Sequence, residues 1–258
     1  MIPKKIHYCW FGGAPKSKLA KKCIKSWKKK CPDYEIIEWN ESNYDVTKIP
    51  FMKEAYDAKK WGFVPDYARL DIIYNNGGIY LDTDVEIVKS LDDLLATNGF
   101  AGYETEEFVA LGLGFGAEKH NPVIKSMMKA YEDRHFLLED GTYDMTPSPR
   151  IDTPTLRSIG FDINGEFSQT DSFTLLPKDY LCPLDYNLCM HNTENTHTIH
   201  WFAASWESEE FQASLDRKRK LRQKAARWDK IRYFPNRLFR KVIGDEKVEM
   251  LKMKLKRK

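Results

Sequence analysis

The feature that most constrains this chain is an apolar strand running without a break into paired carboxylates. Asn75-Asn76-Gly77-Gly78 closes a helix-like stretch, and Ile79-Tyr80-Leu81 reads as a short strand. Asp82-Thr83-Asp84 follows directly, before Val85-Glu86-Ile87-Val88 resumes an extended pattern. In extended backbone, residues i and i+2 project to one face, so Asp82 and Asp84 can bring two carboxylates onto one cation. Oxygen donors of this kind suit Mn²⁺ or Mg²⁺. Two aspartates two apart occur by chance about once in a chain of this size. The weight therefore lies in the context. A Gly-Gly turn, an apolar strand and then the acids put the pair at the C-terminal edge of a sheet, where open α/β folds bind ligands.

The residues upstream predict the sheet itself. Lys4 to Phe11 is a β-branched and aromatic run stopped by Gly12-Gly13, a buried strand entering a loop. From Ser17 to Lys30, Leu19, Cys23, Ile24 and Trp27 recur at helical spacing, and Cys31-Pro32-Asp33 supplies the stop. Glu35 to Trp39 is a second strand, so the chain begins β-α-β, the signature of a parallel sheet covered by helices. Further on, Asp66 to Asn75 reads as a helix entered at Pro65, Pro122 to Tyr131 as another, and Thr174 to Leu176 as a strand. Pro147-Ser148-Pro149 reads as a loop.

Composition separates the chain into two parts. Residues 1–211 hold 23 Lys and Arg against 33 Asp and Glu, whereas residues 212–258 hold 18 against 5. The expected division is a catalytic domain over 1–211 and a basic, helix-prone extension over 212–258. The five cysteines, Cys9, Cys23, Cys31, Cys182 and Cys189, form no C-x-x-C pair, which argues against structural zinc and a disulfide scaffold. No window approaches the roughly 18 uninterrupted apolar residues of a membrane span. The first residues lack a secretory apolar run, so the expected location is cytoplasmic.

Other residues carry chemistry with two readings each. Asp66 and Arg69, spaced i and i+3, share a helix face either as an exposed ion pair or as part of a site. Trp10, at a strand end before Phe11-Gly12-Gly13, is either core or a flat platform for a nucleobase. Thr198-Ile199-His200-Trp201 through Ser205-Trp206 gathers an imidazole, a hydroxyl and indoles, and a histidine there is either structural or a metal ligand. Gly112 to Gly116, and Thr146 to Thr155 with Arg150 and Asp152, are either ordinary turns or segments facing an acceptor.

Three blocks together resemble a known family. Ile2-Pro3-Lys4-Lys5-Ile6-His7-Tyr8-Cys9-Trp10-Phe11-Gly12 is the first. Pro65-Asp66-Tyr67-Ala68-Arg69 with Asn76 to Asp84 is the second, and Asn195 to His200 with Ala204-Ser205-Trp206 is the third. In this order they are similar to glycosyltransferase family 32, the DXD-containing sugar-binding proteins of bacterial polysaccharide loci and fungal α-1,6-mannosyltransferases. They are similar also to the catalytic core of the large clostridial glucosylating toxins. The resemblance spans about residues 1–206. It implies an α/β fold of the GT-A type, a nucleotide-sugar donor, a divalent metal, Mn²⁺ or Mg²⁺, and retention of anomeric configuration. Carried over by position, Trp10 would stack on uracil, Asp66 and Arg69 would hold donor-sugar hydroxyls, and Asp82 would touch ribose and sugar. Asp84 and His200 would ligate the metal with Asp82 beside them, while Ser205 and Trp206 would lie on the diphosphate.

The expected function is transfer of a hexose or N-acetylhexosamine from a nucleotide sugar, with UDP favoured, to a saccharide acceptor. What the resemblance implies for that acceptor is a lipid-linked oligosaccharide, of the undecaprenyl-linked kind, in capsule or exopolysaccharide synthesis. Arg217 to Lys241 interleaves basic residues with Leu221, Trp228, Ile231, Tyr233, Phe234, Leu238 and Phe239, which suits the surface of an anionic membrane. A solvated face of packed helices is the other reading of that stretch. Two further classes stay open: a metal-dependent phosphohydrolase using the same aspartates, and a nucleic-acid binder using the basic aromatic tail. The acidic balance of residues 1–211 and the lack of a nucleic-acid module weigh against the second.

Overall fold

A computed structural model describes residues 1–185 and 188–203, together with residues 210, 212–214, 217–221 and 224. The chain divides into two compact units, Met1–Trp206 and Glu207–Lys258. In the first unit, β1 (Lys5–Cys9), α1 (Lys18–Lys30) and β2 (Glu35–Trp39) form the opening β-α-β, followed by α2 (Pro50–Asp57) and α3 (Val64–Asn76). The chain continues through β3 (Gly78–Tyr80), β4 (Val85–Ile87), β5 (Gly99–Tyr103), β6 (Val109–Ala117) and α4 (Pro122–Glu132). Then come α5 (Pro149–Ser158), β7 (Ser168–Gln169), β8 (Thr174–Leu176), α6 (Lys178–Leu181) and β9 (Thr198–His200). In the second unit, the described residues between 210 and 224 are helical.

Local chemistry accounts for the element ends. The Ser17 hydroxyl accepts the Ala20 N–H to cap α1, and Asn121 caps α4 in the same way through Val123 and Ile124. Gly77, at φ 64°, stops α3 so that the chain can reverse into β3.

The main sheet has the order β2-β1-β3-β6-β5-β8-β7. The opening β-α-β unit is parallel, as its sequence implies, and the sheet as a whole is mixed. β1 runs parallel to both β2 and β3, and β5 to β8, while the β3/β6, β5/β6 and β7/β8 pairs are antiparallel. Strand β4 leaves this sheet altogether and pairs antiparallel with β9 in a separate ribbon. Side chains alternate across the main sheet. Tyr80, Ala101 and Phe115 join the cluster under α2, α3 and α4, whereas Ile79, Leu81 and Phe100 join Trp27 of α1 on the other face.

Two loop expectations are corrected. Gly112 to Gly116 lies inside β6, and Pro149 opens α5. The β6 segment is a bulge rather than a turn. Ala101 pairs with Phe115 but Gly102 pairs with Ala110, so residues 111–114 fall outside the ladder and bend the strand. Gly114, at φ 122°, supplies the backbone conformation that this bend requires.

Candidate active site

Parallel pairing aligns the strand ends that carry the chemistry. Ile6 and His7 face Ile79 and Tyr80, and the Leu81 N–H donates to the His7 carbonyl. The end of β1 with Trp10 and the residues after β3 with Asp82 therefore reach the same sheet edge. Asp82-Thr83-Asp84 is not extended strand, as the spacing had implied. The Val85 N–H donates back to the Asp82 carbonyl, closing a turn between β3 and β4.

The β4/β9 ribbon completes the cluster. Val85 pairs with His200, which sets the imidazole beside the aspartates across 115 residues of sequence or more. Single ligand atoms of Asp82, Asp84 and His200 lie within 4.8 Å of one another. His200 Nε2 is 3.3 Å from Asp84 Oδ1, and Asp84 Oδ2 accepts the Ala203 N–H at 2.7 Å. Burial opposes charge on His200, yet Asp84 and then Asp82 lift its pKa to about 9. Burial likewise works to raise the Asp84 pKa, but His200 and the Ala203 N–H outweigh it and hold that carboxyl below the usual range. Two carboxylates and an imidazole in one partly exposed cluster form a donor set that fits Mn²⁺ or Mg²⁺.

Behind the aspartates sits a buried guanidinium. Helix α3 is buried nearly all round, so Asp66 and Arg69 are only 6% and 3% exposed, which removes the surface ion-pair reading. Arg69 pairs with Asp66, donates from Nη2 to the Ser148 hydroxyl at 2.6 Å, and places Nη1 3.8 Å from Asp82 Oδ2. Asp152 at the start of α5 is fully buried and adds a third carboxyl near the same guanidinium. Burial pushes both Asp66 and Asp152 up to about 7, against the pull of Arg69. Burial raises Asp82 as well, with Arg69 opposing it and Asp84 adding to it.

Of the residues singled out from sequence, Asp66, Arg69, Asp82, Asp84 and His200 come together. Trp10 lies at the same edge, half-buried, with its indole N–H on the Ala14 carbonyl and the Lys16 ammonium 5.6 Å from its ring centre. Ser205 and Trp206 lie outside the described residues. Sequence reasoning missed the site roles of four groups. Gly112, in the β6 bulge, has no side chain because a Cβ there would overlap Asp82 Oδ2. Ser148 and Asp152 reach Arg69 from 79 and 83 residues away, and the Ala203 N–H reaches Asp84 from 119. Gly112 left a signal, since a glycine inside a strand marks close approach by another group, and Ser148 and Asp152 lie in the segment 146–155 that reads as a turn or as facing an acceptor, without any sign of Arg69 as their partner.

The arrangement is an α/β sheet with a carboxylate-histidine cluster at one edge that could hold a cation, with the Arg69 guanidinium behind it. Residues 17–101 match the family model described as glycosyltransferase sugar-binding region containing DXD motif. Over about a third of its length the chain is thus similar to the sugar-binding region of the DXD-containing glycosyltransferases, the resemblance that the sequence blocks carry. It is similar to inositol phosphoceramide mannosyltransferase 3 of Schizosaccharomyces pombe, 35% identical over 106 residues, a match covering 36% of this chain and 27% of that protein. The match thus spans about a quarter of the curated relative's length. Among solved structures, it resembles the PaToxG glycosyltransferase at 18% identity, covering 62% of this chain and 70% of that one, with a TM-score of 0.48. A glycosyltransferase involved in glycosylation of the major capsid of PBCV-1 is 14% identical, with coverage of 78% and 94% and a TM-score of 0.43.

Two outcomes follow from this geometry. Gly112→Ala should displace the Asp82 carboxylate and weaken Mn²⁺ binding by about tenfold or more, read by titration calorimetry, with the fold retained by circular dichroism. Unchanged Mn²⁺ affinity would separate Gly112 from the cluster. Asp152 binds its proton more tightly folded than unfolded, so its contribution to stability is full below about pH 4 and is lost as pH rises through 7. Asp152→Asn should therefore gain stability over wild type at pH 8 and lose that gain at pH 4, measured by urea unfolding. A difference independent of pH would show that Asp152 is ionised in the fold across this range.

Proposed function

We propose that this chain is a metal-dependent, retaining glycosyltransferase that moves a hexose or N-acetylhexosamine from a nucleotide sugar to a saccharide acceptor. The observation that carries the reading is the convergence of Asp82, Asp84 and His200 on one point in front of Arg69, with the aspartates in the segment that matches the DXD family. When bound, a divalent cation held by these three residues would supply Lewis-acid neutralisation of the departing diphosphate.

The chain's own groups do the rest. Arg69, fixed by Asp66 and Ser148, presents a rigid guanidinium to the donor sugar and its leaving oxygen. Trp10 offers an aromatic face for the base, and UDP is the favoured donor. Asp66 and Asp82 are engaged with Arg69 and Asp84 with His200, so these three carboxyls are committed and none of them is assigned as a nucleophile. Transfer therefore runs as a front-face displacement. The C1–O bond to phosphate breaks, the acceptor oxygen bonds to C1 on the same face, and its proton passes to the leaving phosphate oxygen. The fungal relative's name brings mannose into the set of sugars to test.

Nucleotide release from a panel of UDP- and GDP-sugars should occur with Mn²⁺ for one donor, stop with EDTA, and fall at least about a hundredfold in Asp84→Ala. A folded protein that releases no nucleotide and binds neither UDP nor GDP overturns the reading, and hydrolysis of simple phosphate esters instead would move it to a phosphohydrolase.

The acceptor in this reading is a lipid-linked, undecaprenyl-type oligosaccharide of capsule synthesis, reached at the cytoplasmic face through the basic residues 212–258. No described helix is long and apolar enough to cross a membrane. The full chain should bind vesicles with phosphatidylglycerol more tightly than a chain ending at Ser214, and the difference should shrink with salt. Equal binding by the two removes the membrane role.

A further inference from the structure

The β4/β9 ribbon has two ends. His200 stands at one, in the cation cluster, and His197 precedes the strand at the other, about 10 Å away at the usual rise per residue. Beside His197 opens a second cleft of about 340 Å³, within the range of small-molecule pockets. None of its lining residues belongs to the cation cluster or to the Arg69 network.

The lining has a definite character. Leu94 and Leu176, both buried, give the floor its apolar surface, with the buried Thr174 beside them. Phe167 lines the cleft with 55% of its surface exposed, which leaves its ring available as a stacking face. Tyr180 stacks on His197 with ring centres 6.1 Å apart and planes within 9°. Around the rim, Gln169 and Asn195 offer amides, and Lys89 and Asp93 form an ion pair at 2.9 Å whose charges cancel. Aromatic faces for C–H surfaces, amides for hydroxyls and no net charge match a neutral sugar better than a phosphate or a nucleotide.

His197 supplies the independent observation. It is 2% exposed, and its Nδ1 lies 2.6 Å from the Asn195 carbonyl, an acceptor, so Nδ1 carries the proton. Nε2 is then a bare lone pair, buried and without a hydrogen-bond partner among the described residues. Its polar neighbour, Asp93 Oδ2 at 3.6 Å, is itself an acceptor. Burial lowers the His197 pKa, which keeps the ring neutral and the lone pair in need of a donor. A ligand hydroxyl could donate to Nε2 or to the Asp93 carboxylate beside it, which neither residue can do for the other.

We propose that this cleft is a second saccharide-binding site that takes one or two neutral pyranose units, with Phe167 as its stacking face and His197 Nε2 as a hydroxyl acceptor. The site stands on its own geometry, and only its assignment to the acceptor or product glycan rests on the transferase reading. Holding part of a glycan away from the reacting end would raise the local concentration of acceptor without touching the donor.

The test is saturation-transfer NMR and calorimetry with neutral manno-, gluco- and galacto-trisaccharides, using the full chain with neither metal nor nucleotide. At least one trisaccharide should bind, Phe167→Ala should weaken it by about fivefold, and Asp84→Ala should leave it unchanged. Phe167 is exposed, so its loss does not threaten the fold, and His197→Phe serves as a second variant that keeps a buried ring but removes the acceptor. Binding of no trisaccharide, binding indifferent to both Phe167→Ala and His197→Phe, or binding lost in Asp84→Ala would each overturn the proposal. Because donor and metal are absent, failure here is distinct from failure of nucleotide release in the transferase assay.

Discussion

The buried Arg69 guanidinium organises the first unit. At 3% exposure it stands among the carboxyls of Asp66, Asp82 and Asp152, and one positive charge cannot balance three negative ones in a medium of low polarity. Burial settles the excess by lifting Asp66 and Asp152 to about 7, so that protons share the balancing with Arg69. The consequence reaches three separate stretches of chain. Helix α3 supplies the acid-base pair, α5 and the residue before it supply Asp152 and Ser148, and the turn after β3 supplies Asp82. A single ion thus ties the packing of α3 and α5 to the position of the first aspartate of the cation cluster.

The second aspartate is held by a different device. Asp84 opens the ribbon in which β4 pairs with β9, and its backbone carbonyl and side chain both accept N–H groups from the residues after β9, Trp201 and Ala203. Trp27 of α1 anchors the same ribbon from beneath, donating its indole N–H to the Val85 carbonyl at 2.7 Å. Because β4 departs from the main sheet, Asp82 and Asp84 belong to two different scaffolds joined by one turn. Their convergence on His200 depends on both scaffolds keeping register.

The local elements were legible because their signals are local. The Ser17 cap and the Leu19, Cys23, Trp27 spacing mark α1, Pro65 and Gly77 bracket α3, and the β-branched runs mark β1, β2 and β8. Signals failed where context outweighed propensity. The glycines of 112–116 read either as a turn or as a segment facing an acceptor, but the bulge in β6 uses them, with Gly112 letting backbone approach Asp82. Pro147 and Pro149 read as loop although Pro149 occupies the first turn of α5, where a missing N–H carries no penalty.

Sequence by itself determined the residue types of the site, the strand that ends in Asp82-Thr83-Asp84, the helix that carries Asp66 and Arg69, and through these the family resemblance. Only the tertiary structure decided which alternatives held. Burial of α3 turned a possible surface ion pair into a charged core, and the β4/β9 pairing brought His200 to within 3.3 Å of Asp84. Just before β9, His197 has a nitrogen without a hydrogen-bond partner among the described residues, beside a second cleft. The physical reason is separation along the chain. Caps, turns and periodicity act over a few residues, whereas Arg69 meets Ser148 and Asp84 meets Ala203 only when packing closes loops of 79 and 119 residues.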